Sequence, residues 1–310
     1  MAINVRDIAY ARFSAPELDA MQDFLTDFGL TVAGRSPQRL WMRGCGAAPF
    51  IHVTELGEPA YRGFGFEAED QDGLHILAER DGVPIQTMTD EPGGGSFVRL
   101  RDPDGFEIDV VARAPAADNP PFPALQAWNT SESLARGTVA RRVAPSPSTV
   151  VRLGHMVHAV ADINRTWDWY AERFRLTISD EVVAEDQARV ALFIRLDRGN
   201  EPSDHHALNF GQFPDGRSAF HHAAFEVADF DDLMVGGEFL ASRNYRHRWG
   251  VGRHILGSQV FDYWSDPWGH IVEHWTDGDK FDAAEPTHKA DIATMVGIQW
   301  GPGAPADMVG

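Results

Sequence analysis

Three polar residues, His254, Tyr263 and Glu273, stand in a stretch that otherwise reads as packed β-structure. Val260-Phe261-Asp262-Tyr263-Trp264 is rich in β-branched and aromatic residues. Asp266-Pro267-Trp268-Gly269 has the proline and glycine placement of a tight turn, and Ile271-Val272-Glu273-His274-Trp275 returns as a second strand. With period-two alternation Tyr263 shares a face with Phe261, and the turn brings that strand alongside Glu273. A carboxylate buried in such a hairpin without a partner is costly. A metal ion at Glu273 would remove that cost, and the chain has 13 histidines from which further ligands could come. The bland alternative is a hairpin with no such role, since a strand histidine is more often packed or at the surface than a ligand.

The elements that would position these residues come in a repeat. Ile8-Ala9-Tyr10 opens a strand that leads to Ser14 and a helix, with Ser14 and Glu17 spaced as a capping box. Leu18, Met21, Leu25 and Phe28 form its apolar stripe, Gly29 is placed to end it, and Leu30-Thr31-Val32 follows as a strand. Leu153-Gly154-His155 opens the same sequence of elements, with Ile163, Trp167, Tyr170 and Phe174 as the stripe and Leu176-Thr177-Ile178 as the strand. Gly65-Phe66-Glu67-Ala68-Glu69-Asp70 matches Ala224-Phe225-Glu226-Val227-Ala228-Asp229, each entering a helix. Asp102-Pro103-Asp104-Gly105 with Asp109 matches Asp266-Pro267-Trp268-Gly269 with Glu273. The offset grows along the chain, so the second half carries extra loop residues. Each half reads as β-α-β and further strands, twice.

Composition narrows the functions. The chain has 310 residues, a length for two domains or one duplicated domain, and 43% hydrophobic residues, enough for ordinary cores. A net charge of −19 argues against nucleic acid or an anionic membrane surface as partner. One cysteine, Cys45, leaves no intramolecular disulfide framework and no cysteine metal site. No apolar run opens the chain and none approaches membrane-spanning length, so a soluble cytoplasmic protein is expected.

These residues resemble the type I extradiol ring-cleaving (catechol-type) dioxygenases of the vicinal oxygen chelate superfamily, which also holds glyoxalases and bleomycin-resistance proteins. The resemblance covers about residues 5–280. It rests on the paired βαβββ modules, the histidine opening the third module and the glutamate after the DPxG turn. It implies an α+β fold of two domains, each of paired βαβββ modules forming a half-open barrel, with metal in the C-terminal barrel alone. The expected boundaries are 1–115 for a domain without metal, 116–148 for a linker rich in proline, 149–280 for the catalytic domain and 281–310 for a tail over it.

Carried onto this chain, the resemblance implies His155, His222 and Glu273 as ligands of Fe(II), a donor set that also suits Mn(II). His222 is taken from the pair His221-His222 because strand neighbours face opposite ways and because of its spacing to the Arg253-His254 motif. His206 is implied as the acid/base, with His205 as the competing choice, and His254 and Tyr263 as groups that hydrogen-bond substrate oxygens. The partners implied are a small aromatic diol and O2, and the family is commonly homo-oligomeric. The first half has Tyr10, Gly63 and Asp109 at the ligand positions, a set that cannot hold a metal in the same way. His158, His221, His270 and His274 lack such register and are read as surface residues or neighbours of the site. Two other classes stay open: a glyoxalase-like isomerase or a hydrolase using Zn, Ni or Mn, and a non-catalytic small-molecule binding protein. The sequence does not say which catechol or trihydroxylated ring is the substrate.

Overall fold

The computed structural model describes residues 1–114, 118–124 and 127–308. The first half runs β1 (Val5–Ala15), α1 (Leu18–Asp27), β2 (Thr31–Arg35), β3 (Arg39–Arg43) and β4 (His52–Leu56). It continues with β5 (Ala60–Ala68), α2 (Gln71–Asp81), β6 (Gln86–Thr87), β7 (Ser96–Arg101) and β8 (Glu107–Ala112). The second half repeats the order as β9 (Val150–Ala159), α3 (Ile163–Arg173), β10 (Leu176–Val183), β11 (Arg189–Leu196), a short β12 (Ser203–Asp204) and β13 (Leu208–Gly211). Then come β14 (Ala219–Val227), α4 (Phe230–Ser242), β15 (Arg246–His254), β16 (Val260–Ser265) and β17 (Ile271–Thr276). The chain closes with β18 (Lys280–Phe281), β19 (His288–Asp291), α5 (Ile292–Val296) and β20 (Ile298–Trp300). Each half is thus two βαβββ modules, and the fold is the expected α+β architecture of curled half-barrels.

In each half the two modules join through their first strands. β1 pairs antiparallel with β5 in an eight-stranded sheet, and β9 with β14 in a ten-stranded one. Helices form where the sequence carries apolar stripes. Met21, Phe24 and Leu25 of α1 are fully buried, a burial that stabilises by about 1.5–3 kcal/mol for each such side chain. Asp70, Asp162 and Asp229 cap α2, α3 and α4 by accepting backbone N–H groups of the first turn. Ser14 does not cap α1 as the capping-box spacing suggests. It lies inside β1 and its hydroxyl donates to the Glu58 carbonyl.

The two halves share one apolar core and pack through aromatic side chains. Tyr61 stacks on Phe220 at 4.3 Å and its hydroxyl is 2.8 Å from His158 Nε2. The His274 ring lies 3.7 Å from that of Phe28, and its Nε2 donates to the Phe28 carbonyl. His158 and His274 are therefore buried between the halves rather than at the surface. His270 is held 2.7 Å from Asp266 and touches Phe13. The described residues between the halves carry a single isolated bridge, Asn129 to Leu134, and the expected boundary near residue 115 lies outside the described residues.

Of residues 281–310, expected as a tail, the described part, 281–308, is built into the second sheet. β19 pairs with β10 at one edge and β20 with β15 at the other. The segment thus spans the open side of the half-barrel and adds a strand to both of its rims. Among the described residues no helix is long and apolar enough to cross a membrane.

Candidate metal centre

Strand register assembles the site. His155 on β9 is opposite Ala224 on β14, Ala224 is opposite Glu273 on β17, and Glu273 is opposite Tyr263 on β16. Four neighbouring strands therefore present these residues at one level. His222 is two residues from Ala224, so it points to the same face. The small Ala224 side chain leaves the space into which His155, His222 and Glu273 converge. Their ligand atoms all lie within 4.8 Å of one another, and Nε2 of each histidine is 3.2 Å from Glu273 Oε2.

Neither oxygen of Glu273 is hydrogen-bonded, although the side chain is fully buried. Burial alone would raise this carboxyl, but His155 and His222 outweigh it and hold it below its ordinary value. Burial pushes His222 down to about 3. The site is thus a buried carboxylate facing two imidazoles, and burial keeps that of His222 neutral. The first half shows the contrast. Its matching line is Tyr10, Gly65, Asp109 and Arg99. There Asp109 accepts from the Tyr10 hydroxyl at 2.9 Å and from Arg99 at 2.7 and 2.9 Å, with Arg12 at 3.5 Å. One carboxylate is paired with arginines; the other faces two histidines.

The donor nitrogen of His222 is set by its neighbours. The Met308 carbonyl can only accept, so His221 Nε2 donates to it at 3.0 Å. His221 Nδ1 then accepts from His222 Nδ1–H at 2.7 Å, and His222 Nε2, without a hydrogen-bond partner, faces Glu273. Metal-binding histidines characteristically donate their other ring N–H in this way. His221 was expected on the opposite face from His222. A register shift between Phe220 and His222 lets both rings reach the same cavity. No pattern in the sequence announces that bulge.

The cavity beside the three residues has a volume of about 320 Å³. His206, His254 and Tyr263 line it. His254 Nε2 is 3.0 Å from the Tyr263 hydroxyl. Burial lowers His254 to about 4 and, together with the Glu273 charge, raises Tyr263 well above its ordinary value. Near neutral pH the pair is an imidazole and a protonated phenol. His205 turns away from the cavity towards Asp180, which separates the two members of the His205-His206 pair. Among the described lining residues none is Lys, Arg, Asp or Glu. Phe193, Trp249, Leu256 and, from the closing segment, Ile292, Met295 and Met308 make the wall apolar.

Comparison with known proteins shows the family and the fold. Residues 152–274 match the model of the Glyoxalase/Bleomycin resistance protein/Dioxygenase superfamily. Metapyrocatechase 2 of Cupriavidus necator is 31% identical, over 97% of this chain and 90% of that protein. Among solved structures, a substrate complex of homoprotocatechuate 2,3-dioxygenase from Brevibacterium fuscum superposes with a TM-score of 0.78 at 17% identity, covering 99% of this chain and 92% of that one. An Mn(II)-bound glyoxalase from Novosphingobium aromaticivorans gives 0.76 at 21%, covering 99% and 95%. At these identities the two structures speak for the fold.

Proposed function

This chain belongs to the extradiol dioxygenase family within the glyoxalase/bleomycin resistance protein/dioxygenase superfamily, and from that premise we propose that it opens the ring of a catechol-type substrate next to its two hydroxyls, using a metal held by His155, His222 and Glu273. Two imidazole nitrogens and one carboxylate form the facial set typical of non-haem Fe(II) oxygenases, and Mn(II) suits the same donors. Bound there, the metal would supply a Lewis-acidic cation for the oxygens of a vicinal diol and for O2. The observation that carries the reading is Glu273: fully buried, bare of hydrogen bonds, and level with His155 and Tyr263.

The chain's own residues do the rest. Tyr263, a phenol that burial keeps protonated, donates to a substrate oxygen, and His254 holds the phenol from behind. His206, whose ring centre is 4.2 Å from that of His155, carries the proton between substrate and oxygen. The apolar wall excludes water and strengthens each of these interactions. It also selects the ring. With no charged group among the described lining residues, a carboxylated catechol would bury its charge unpaired. An apolar cavity of about 150 Å³ takes up benzene, so this larger space holds a catechol ring with an uncharged substituent.

The test is metal analysis of the purified chain, then anaerobic loading with Fe(II) or Mn(II), addition of a catechol panel and finally O2. We expect one ion per chain and a yellow ring-opened product, with uncharged catechols preferred over carboxylated ones. Two ions per chain, or loading without ring opening of any catechol, would rule the proposal out.

A further inference from the structure

Behind His206 lies a second buried pair. His205 Nε2 is 2.5 Å from an Asp180 carboxylate oxygen, and His205 Nδ1 is 3.0 Å from His206 Nδ1. Neither His205 nor Asp180 touches the cavity, and His205 is 1% exposed. A carboxylate accepts, so the proton on His205 sits on Nε2. His205 Nδ1 is then bare and accepts from His206 Nδ1–H. His206 is left with its lone pair on Nε2, on a ring that lines the cavity.

We propose that Asp180 and His205 are positioning residues, which fix His206 in the Nδ1–H tautomer so that it meets the substrate as a proton acceptor. The proposal rests on the reading of His206 as the proton carrier. In the step it serves, a substrate O–H bond breaks, the electron pair stays on oxygen, and the proton forms an N–H bond at His206 Nε2. The positive charge gained by the ring is matched by the Asp180 carboxylate through His205. The logic is that of a carboxylate holding a catalytic imidazole in one tautomer. The same device orients His222 through His221 and the Met308 carbonyl.

The dyad is built in rather than incidental. The Ser179 hydroxyl donates to the His205 carbonyl at 2.6 Å and itself accepts from Arg195. Gly257, at φ +78°, passes so close that a Cβ there would stand 2.9 Å from His205 Nδ1. A register shift between Ile178 and Asp180 re-aims Asp180, and β2 has its shift at the same place, between Val32 and Gly34. The first half thus has Gly34 where the second has Asp180. Register likewise equates His52 with Leu208, opposite Ala11 and Met156, which puts Pro49-Phe50 where the second half has His205-His206. The half whose carboxylate is already neutralised by arginines lacks the whole relay.

The experiment is ¹⁵N NMR of histidine-labelled full chain carrying diamagnetic Zn(II), with Asp180→Asn and His205→Gln measured beside it. In the unmodified chain we expect His206 to carry its proton on Nδ1. In Asp180→Asn the amide can donate to His205 Nε2, the chain of hydrogen bonds reverses, and the His206 proton moves to Nε2. In the Fe(II)-loaded variants kcat should fall by roughly 10²-fold, the lower end of what a positioned acid/base contributes, with KM for catechol and metal content near wild type. An Nε2–H signal for His206 in the unmodified chain, which needs no variant, would overturn the proposal. So would wild-type kcat in both variants, or a fall in kcat that comes with loss of metal. If the loaded wild-type chain opens no catechol, the functional reading fails, while the tautomer signal still decides for Asp180 and His205.

Discussion

At the scale of single residues the decisive group is Glu273. A carboxylate that is fully buried without a hydrogen bond, as Glu273 is, is costly unless it is paired or coordinates a metal. Glu273→Gln keeps the shape and removes the charge. We expect it to lose its metal in elemental analysis while the metal-free protein melts no lower than metal-free wild type. Metal retained at the wild-type level would exclude Glu273 as a ligand. Tyr263→Phe tests the opposite case, a group that touches substrate and not metal. It should keep its metal and weaken anaerobic catechol binding by about 0.5–1.5 kcal/mol for a neutral acceptor, or about 1.5–3 if the oxygen is charged. Loss of metal there would mean that the phenol supports the site rather than the substrate. These residues were reached from the sequence through the family resemblance, and the internal repeat aligns His155 with Tyr10 and Glu273 with Asp109. Asp180 was not legible, because nothing in Ile178-Ser179-Asp180 tells that a bulge turns its side chain inward.

At the scale of elements the segment from β19 to Met308 matters most. It was expected as a tail, yet it pairs with both rims of the second sheet and supplies the apolar roof of the cavity. Met308 packs with Trp249, Phe261 and Tyr263, and its carbonyl holds His221. Removing a buried methionine side chain costs about 2–5 kcal/mol. Here the cost should fall on the segment rather than on the whole fold. Met308→Ala is therefore expected to speed hydrogen exchange along β20 and raise KM for catechol, with global melting little changed and metal retained. Exchange unchanged along β20 would show that the roof is held without Met308.

At the scale of the whole molecule the two halves are joined by buried histidines. Burial lowers His52 and His158 to about 3, so the folded chain keeps both neutral. The unfolded chain takes up a proton at each near pH 6.5. Between pH 6.5 and 3 the unfolded state thus binds more protons, and stability falls as pH falls. Each group contributes up to a few kcal/mol across that window, to order of magnitude. Melting temperature should drop steadily below pH 6.5. His158→Gln, which can still bond the Tyr61 hydroxyl, should flatten part of that slope. An unchanged slope in this variant would remove His158 from the account.

The sequence by itself determined the repeat and the module order, and through them the family resemblance that implies His155, His222 and Glu273. The repeat and the order follow from local periodicity and from pairing rules that a duplicated chain obeys twice. Tertiary structure alone decided which way each paired histidine points, because a one-residue bulge reverses the faces of a strand without changing its composition. For that reason His221 joins the cavity, whereas His205 leaves it in the connection between β12 and β13, where it turns to Asp180. It alone decided that His158 and His274 lie between the halves, since burial there depends on surfaces far apart in the chain. The path of residues 281–308 likewise has no periodic signal. Its strands exist because the rims of the half-barrel offer unpaired backbone groups that only the folded sheet presents.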